Sequence, residues 1–121
     1  MSKKILIVDD MSSVRMLVKT LLRGEDFVLD EAANGREAVA KALATPLPDL
    51  VLLDIVMPEL TGIQCLQIIK NKHKDMPVIM LTTKGEEKHV EEARAAGADD
   101  YLTKPVEGLN LLSTIRKHLK A

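Results

Sequence analysis

The stretch LVLLDIVMP, Leu50 to Pro58, decides the fold. Four apolar residues run straight into a carboxylate, Asp54, and then into a Met-Pro turn. A run that is apolar at every position, without polar alternation, has both faces covered, as in a central strand of a parallel sheet. A charge at its end fits if the strand stops there, at an edge of the sheet. Asp54 is therefore expected to be exposed at that edge, outside the core.

Working outward, the same kind of run recurs at Lys3 to Val8 (KKILIV), Phe27 to Ala32 (FVLDEA), Asp49 to Leu53 (DLVLL), Pro77 to Leu81 (PVIML) and Asp99 to Thr103 (DDYLT). Between them the apolar residues take helical spacing: Val14, Leu17, Val18 and Leu21; Ala38, Val39, Ala42 and Leu43; Ile63, Leu66 and Ile69; Val90, Ala93 and Ala96. Leu109, Leu112, Ile115 and Leu119 form a last stripe, from which Leu111 falls away and is expected to be exposed. Helix ends carry matching signals. Ser12 or Ser13 can cap the first helix, Asn34 with Glu37 makes a capping-box pattern, and Gly97 stands where a left-handed residue ends the fourth helix. Arg116, Lys117 and Lys120 complement the dipole of the fifth. The longest irregular stretch is read as the Thr45 to Pro48 turn. Strict alternation of strand and helix gives an α/β fold, (βα)5, a doubly wound parallel sheet with helices on both faces.

Composition excludes several classes. At 121 residues the chain is the size of one domain. With 17 basic and 18 acidic side chains, it lacks the charge excess that draws a protein to nucleic acid or anionic lipid. One Tyr, one Phe and no Trp leave little to stack on bases or on a flavin. No apolar stretch is long enough for a membrane span or a signal peptide, so neither nucleic acid nor membrane is an expected partner and the cytoplasm is the expected compartment. His73, His89 and His118 lack metal-ligand spacing and are read as surface residues. Cys65 is read as packing, and Met11, Met16, Met57, Met76 and Met80 as core filling.

The polar residues gather at the strand ends. Asp9 and Asp10 follow the first strand, Asp54 the third, Thr82 the fourth and Lys104 the fifth. In open parallel sheets ligands bind outside the carboxyl ends of the strands, where the strand order reverses. If that order is 2-1-3-4-5, the first and third strands are neighbours and three carboxylates converge. Their repulsion favours a divalent cation, and an all-oxygen donor set suits Mg²⁺, which keeps several waters and pairs with phosphate oxygens. A carboxylate beside such an ion can act as nucleophile and form an aspartyl phosphate. The Lys104 ammonium and the Thr82 hydroxyl are then placed to meet the transferred group.

Taken together, Asp9-Asp10, Asp54 with Met57-Pro58 and Gly62 behind it, Thr82, Tyr101 and Lys104-Pro105 resemble the full signature of the receiver domain of two-component response regulators. The resemblance covers nearly the whole chain and implies a CheY-like, flavodoxin-like fold, the strand order 2-1-3-4-5 and one receiver domain over residues 1–121. It implies that Asp54 is the phosphoacceptor, taking a phosphoryl group from the phosphohistidine of a sensor histidine kinase or phosphotransfer protein. Asp10, Asp54 and the Val56 backbone carbonyl would hold Mg²⁺, with Asp9 acting largely through water. Thr82 and Lys104 would contact the phosphoryl group. Tyr101 would turn inward as Thr82 moves, altering the surface of the fourth helix, fifth strand and fifth helix where a downstream effector binds. A phosphatase is a further implied partner, and the bond before Pro105 is expected to be cis.

Singly, each of these residues has an ordinary explanation: Asp54 as a turn residue, Asp9-Asp10 as a helix start, Lys104 as a solvated side chain, Tyr101 as a half-buried strand aromatic, Thr82 as a strand residue with Thr83 as rival. Their joint arrangement overturns those explanations. The chain departs from the family pattern at Val56 and Lys84, positions that flank the phosphoryl group, and at Thr83, where a small residue is usual. The same-fold alternative is a receiver cut from a longer regulator with a DNA-binding or enzymatic effector domain. A haloacid-dehalogenase-type phosphatase shares the chemistry but spaces its acids as Asp-x-Asp, whereas Asp9 and Asp10 are adjacent.

Overall fold

A computed structural model describes residues 2–83 and 85–119. Strands β1 (Lys3–Val8), β2 (Phe27–Ala32), β3 (Leu50–Asp54), β4 (Val78–Thr82) and β5 (Asp100–Thr103) alternate with helices α1 (Ser12–Leu21), α2 (Gly35–Ala42), α3 (Gly62–Lys72), α4 (Glu87–Ala95) and α5 (Gly108–His118). All four strand pairings are parallel, in the order β2-β1-β3-β4-β5. The expected (βα)5 architecture and strand order are both present.

The period of two in the strands divides the core. Leu6, Val8, Val51, Leu53, Val78 and Met80 face one side and pack with Ala38, Ala42, Leu66, Ile69 and Ala93 of α2, α3 and α4. Ile5, Ile7, Leu50, Leu52, Ile79, Leu81 and Leu102 face the other and meet Val18 of α1 and Leu111 and Ile115 of α5. Burial of β3 and β4 at every position explains their lack of polar alternation.

Several local expectations are corrected. β3 and β4 each sit one residue later than read, so Asp54 and Thr82 are the last residues of their strands. The position before α1 is Met11, without a side-chain cap; its N–H donates to Asp9 Oδ1 at 2.9 Å, and both serines lie inside the helix. Asn34 does cap α2, accepting from Glu37 N at 2.9 Å, while Glu37 reaches back to Ala33 N. A full capping box of Thr61 and Gln64, not foreseen, starts α3. Gly97 has φ +104, as its place after α4 required. In α5 the stripe is rotated: Leu111 is buried and Leu109 is 88% exposed. Among the methionines, Met57, Met76 and Met80 fill the core, but Met11 and Met16 are exposed. The longest connections are 43–49 and 55–61, the second leading from β3 to α3. His118 is not a plain surface residue, since its Nε2 lies 2.8 Å from Asp100 Oδ2. The Lys104–Pro105 bond is cis, as is Thr45–Pro46. The readings for Lys84 and Lys120 lie outside the described residues.

Candidate functional site

Register places the site. Val8 pairs with Leu53, so Asp9, one step past β1, lies beside Asp54 at the end of β3. Thr82 pairs with Thr103, which puts Lys104 one step beyond on the outer strand; Lys104 N donates to Thr82 O at 2.7 Å. The loop that carries Asp54 onward is locked from behind by α3. Gly62 N donates to Ile55 O at 2.9 Å, and a Cβ added at Gly62 would fall 2.0 Å from the Asp54 carbonyl oxygen. Only glycine allows that approach, which is why Gly62 stands at the start of the helix.

Asp9, Asp10 and Asp54 each offer a carboxylate oxygen, and the three lie within 4.8 Å of one another. Asp9 is fully buried and Asp54 4% exposed, whereas Asp10 is exposed. The expectation that Asp54 reaches solvent is thus overturned: its carboxylate is buried at the strand end, with Lys104, the Val56 N–H and the other two acids gathered around it. Lys104 Nζ lies 2.8 Å from Asp9 Oδ2 and 3.2 Å from Asp54 Oδ1. Asp9 Oδ2 has no well-aligned hydrogen bond, so it meets the ammonium as an ion pair alone. Val56 N donates to Asp54 Oδ1 at 3.3 Å, and the Val56 side chain is half-exposed at the mouth.

Burial, and then repulsion from Asp9, push the Asp54 carboxyl up to about 6, against the pull of Lys104 and the Val56 N–H. Burial depresses the Lys104 ammonium, but its pairs with Asp9 and Asp54 outweigh that, and the net shift is upward. One ammonium therefore does not neutralise this cluster. Three carboxylates against one ammonium leave two negative charges, and the donor set is all oxygen. That balance fits a hard divalent cation held by Asp9, Asp10 and Asp54.

Thr82 is 3% exposed, and its hydroxyl donates to Glu86 Oε1 at 3.1 Å. Glu86 Oε1 also accepts from Thr83 N at 2.7 Å, while the Thr83 side chain is exposed. Burial raises the Glu86 carboxyl, yet its hydrogen bonds to Thr83 and Thr82 and the nearby His89 bring it below its ordinary value. Tyr101 points outward, 38% exposed, with Arg94 Cζ 5.0 Å from its ring centroid. A cavity of about 260 Å³ between α4 and β5 is lined by Thr82, Glu86, Val90, Arg94 and Tyr101.

Sequence reasoning missed two supports. Arg15 donates through Nη1 to Asp9 O at 2.6 Å and through Nε to Glu31 Oε1 at 3.0 Å, while Lys19 holds the other Glu31 oxygen at 2.8 Å. This clamp steadies the backbone that aims Asp9 and Asp10. Glu86 is the second, and as an acid just before a helix it had no sequence signal beyond an ordinary helix start.

The fold, with an acidic pocket at the switch point and a lysine across it, defines a class of aspartate-bearing signalling domain. Residues 5–116 match the response regulator receiver domain family, and the chain belongs to that family. It is 42% identical over 117 residues to the transcriptional regulatory protein ResD of Bacillus subtilis, covering 97% of this chain and 48% of that protein. It is 41% identical over 120 residues to the transcriptional regulatory protein SrrA of Staphylococcus aureus, covering 99% and 49%. The chain spans about half the length of these curated relatives. Among solved structures, the Vibrio cholerae chemotaxis protein CheY4 superposes with a TM-score of 0.90 at 34% identity, covering 98% of this chain and 100% of that one. A CheY-like receiver domain protein from Methanospirillum hungatei gives a TM-score of 0.89 at 31% identity, covering 97% and 93%. A receiver domain is a signalling switch that pairs with histidine kinases, and not a conventional enzyme. The carboxylate cluster is typical of the receiver metal site. No helix among the described residues is long and apolar enough to cross a membrane.

Proposed function

We propose that residues 1–121 act as a phosphorylation switch in which Asp54 accepts a phosphoryl group from the phosphohistidine of a sensor histidine kinase or phosphotransfer protein. The observation that carries this reading is the Asp54 carboxylate, held at the end of β3 with Asp9 and Lys104 around it. A carboxyl that titrates at about 6 is mostly ionised at pH 7, so an Asp54 oxygen is available as nucleophile. That oxygen attacks phosphorus, a P–O bond forms, the N–P bond to the donor imidazole breaks, and the departing nitrogen keeps the electron pair. Asp10, Asp54 and the Val56 carbonyl would hold Mg²⁺, with Asp9 acting largely through water. When bound, the ion supplies positive charge to the phosphoryl oxygens. Lys104 is close enough to Asp54 to leave Asp9 and pair with a phosphoryl oxygen.

The signal then leaves through Thr82 and Tyr101. The Thr82 hydroxyl turns to the phosphoryl group, Tyr101 enters the cavity beneath it, and the α4-β5-α5 face changes its affinity for a downstream effector. The cavity supports this by offering room next to an aromatic ring that now lies outside. A cytoplasmic location suits a kinase donor, and a phosphatase is a further partner. Thr82→Ala is expected to accept phosphate yet lose phosphorylation-dependent effector binding; unchanged effector affinity in the labelled variant contradicts the switch role.

A second reading has an observation in its favour. Because the chain spans about half of ResD and SrrA, it also fits the receiver portion of a longer regulator with a DNA-binding or enzymatic effector domain. The size of the protein detected by antibody in its native cells decides between the two.

A further inference from the structure

The Thr82 hydroxyl is already engaged. It donates to Glu86 Oε1 at 3.1 Å, with Thr83 O as a longer neighbour at 3.3 Å, and the same Glu86 oxygen accepts from Thr83 N at 2.7 Å. A hydroxyl has one proton to give. It cannot satisfy Glu86 and a phosphoryl oxygen at once. Glu86 also precedes α4 directly, without capping that helix through its side chain, and it lines the cavity shared by Thr82 and Tyr101. We propose that Glu86 is a latch on the switch: its carboxylate holds the Thr82 hydroxyl in the resting state, and activation requires that bond to break. This rests on the assignment of Thr82 as the residue that engages the phosphoryl group.

The latch sets the resting population. The active arrangement loses one hydrogen bond to a charged acceptor and regains one to the phosphoryl group, so the resting state is favoured by what Glu86 contributes. Removing Glu86 therefore raises the share of molecules in which the hydroxyl is free, and raises apparent affinity for any phosphoryl mimic by the same factor. The simpler alternative is that Glu86 only tightens the turn from Thr83 into α4. A turn-stabilising role affects stability in any background and is indifferent to whether residue 82 bears a hydroxyl.

The test uses Mg²⁺ with beryllofluoride as the phosphoryl mimic. The chain has one Tyr and no Trp, so intrinsic tyrosine fluorescence reports Tyr101 alone. Glu86→Ala is expected to tighten half-saturation about tenfold or more, the worth of one hydrogen bond to a charged acceptor, and Glu86→Gln, which keeps an acceptor but loses the charge, less. Removing a negative charge also eases binding of any anion, and Thr82→Ala separates the two effects: in that background the gain from Glu86→Ala is expected to fall to the small remainder due to charge. Equal affinity of wild type and Glu86→Ala, or an equal gain with and without the Thr82 hydroxyl, overturns the latch. If Thr82→Ala alone leaves both beryllofluoride affinity and the Tyr101 response unchanged, the assignment of Thr82 has failed and the latch falls with it. A latch failure is recognised separately, by a Thr82→Ala defect without any Glu86 effect.

Discussion

Lys104 Nζ stands 3.2 Å from Asp54 Oδ1 and 2.8 Å from Asp9 Oδ2, a single ammonium between two buried carboxylates. It is the one cation paired with these two carboxylates among the described residues, and removing it leaves both acids unpaired. Lys104→Met is expected to destabilise the metal-free protein at pH 7 by about 3–5 kcal/mol, the usual cost of breaking a buried pair. Millimolar Mg²⁺ is expected to recover much of the loss. Urea unfolding midpoints with and without the ion check this; a loss that Mg²⁺ leaves untouched would mean that Lys104 acts by packing.

The pH dependence follows from Asp54. Its folded pKa of about 6 lies above the ordinary 3.8, so the folded state binds this proton more tightly than the unfolded one. The stability that its protonation contributes is fully present below about pH 4 and is lost as pH rises through about 6. At pH 7 and above, Asp54→Asn is therefore expected to stabilise the metal-free protein by about 2–3 kcal/mol, a gain that fades between pH 6 and 4. Thermal unfolding of both proteins in chelator across that range measures it. A gain independent of pH would assign the effect to something other than ionisation.

Gly62 has no room for a side chain. A Cβ would lie 2.0 Å from Asp54 O and 2.7 Å from Ile55 Cα, both backbone atoms that cannot step aside as a flexible side chain does. Gly62→Ala is expected to cost about 1–3 kcal/mol or more through overpacking and to slow phosphorylation by displacing Asp54. Denaturant titration and labelling by acetyl phosphate read the two effects; wild-type values for both would show that α3 is free to shift.

The register of α5 gives a contrast between neighbours. Leu111 is fully buried and Leu109 is 88% exposed. Leu111→Ala is expected to destabilise by about 2–5 kcal/mol, and Leu109→Ala to stay within about 0.5 kcal/mol. Calorimetry on the two variants decides it, and the reverse order would restore the stripe read from spacing alone.

The fold was legible because its strongest signals are redundant. Runs such as Leu50–Leu53 and Val78–Leu81 carry no polar alternation, and each is separated from the next by a helical stripe, so errors of one residue at a strand end did not alter the topology. The strand order came from the resemblance and not from periodicity, because pairing is a tertiary choice that local pattern does not encode. The α5 stripe failed for a related reason: Leu109, Leu111, Leu112 and Ile115 allow two helical faces, and only packing on β5 and α1 selects one. At the site, Asp9, Asp10, Asp54, Thr82 and Lys104 were visible as polar residues closing apolar runs. The burial of Asp54 was not, since it depends on which groups from other strand ends gather around its carboxylate. Glu86 and Arg15 were hidden because a surface-type charge is recognised as a partner only once distance is known.

The most direct measurement is the intact mass of the protein after incubation with acetyl phosphate and Mg²⁺. Wild type is expected to gain one phosphoryl group that is stable to acid and released by hydroxylamine, the behaviour of an acyl phosphate, and to gain none in chelator. Asp54→Asn is expected to gain nothing. Full labelling of Asp54→Asn, or a wild-type label that survives hydroxylamine, would contradict Asp54 as the acceptor.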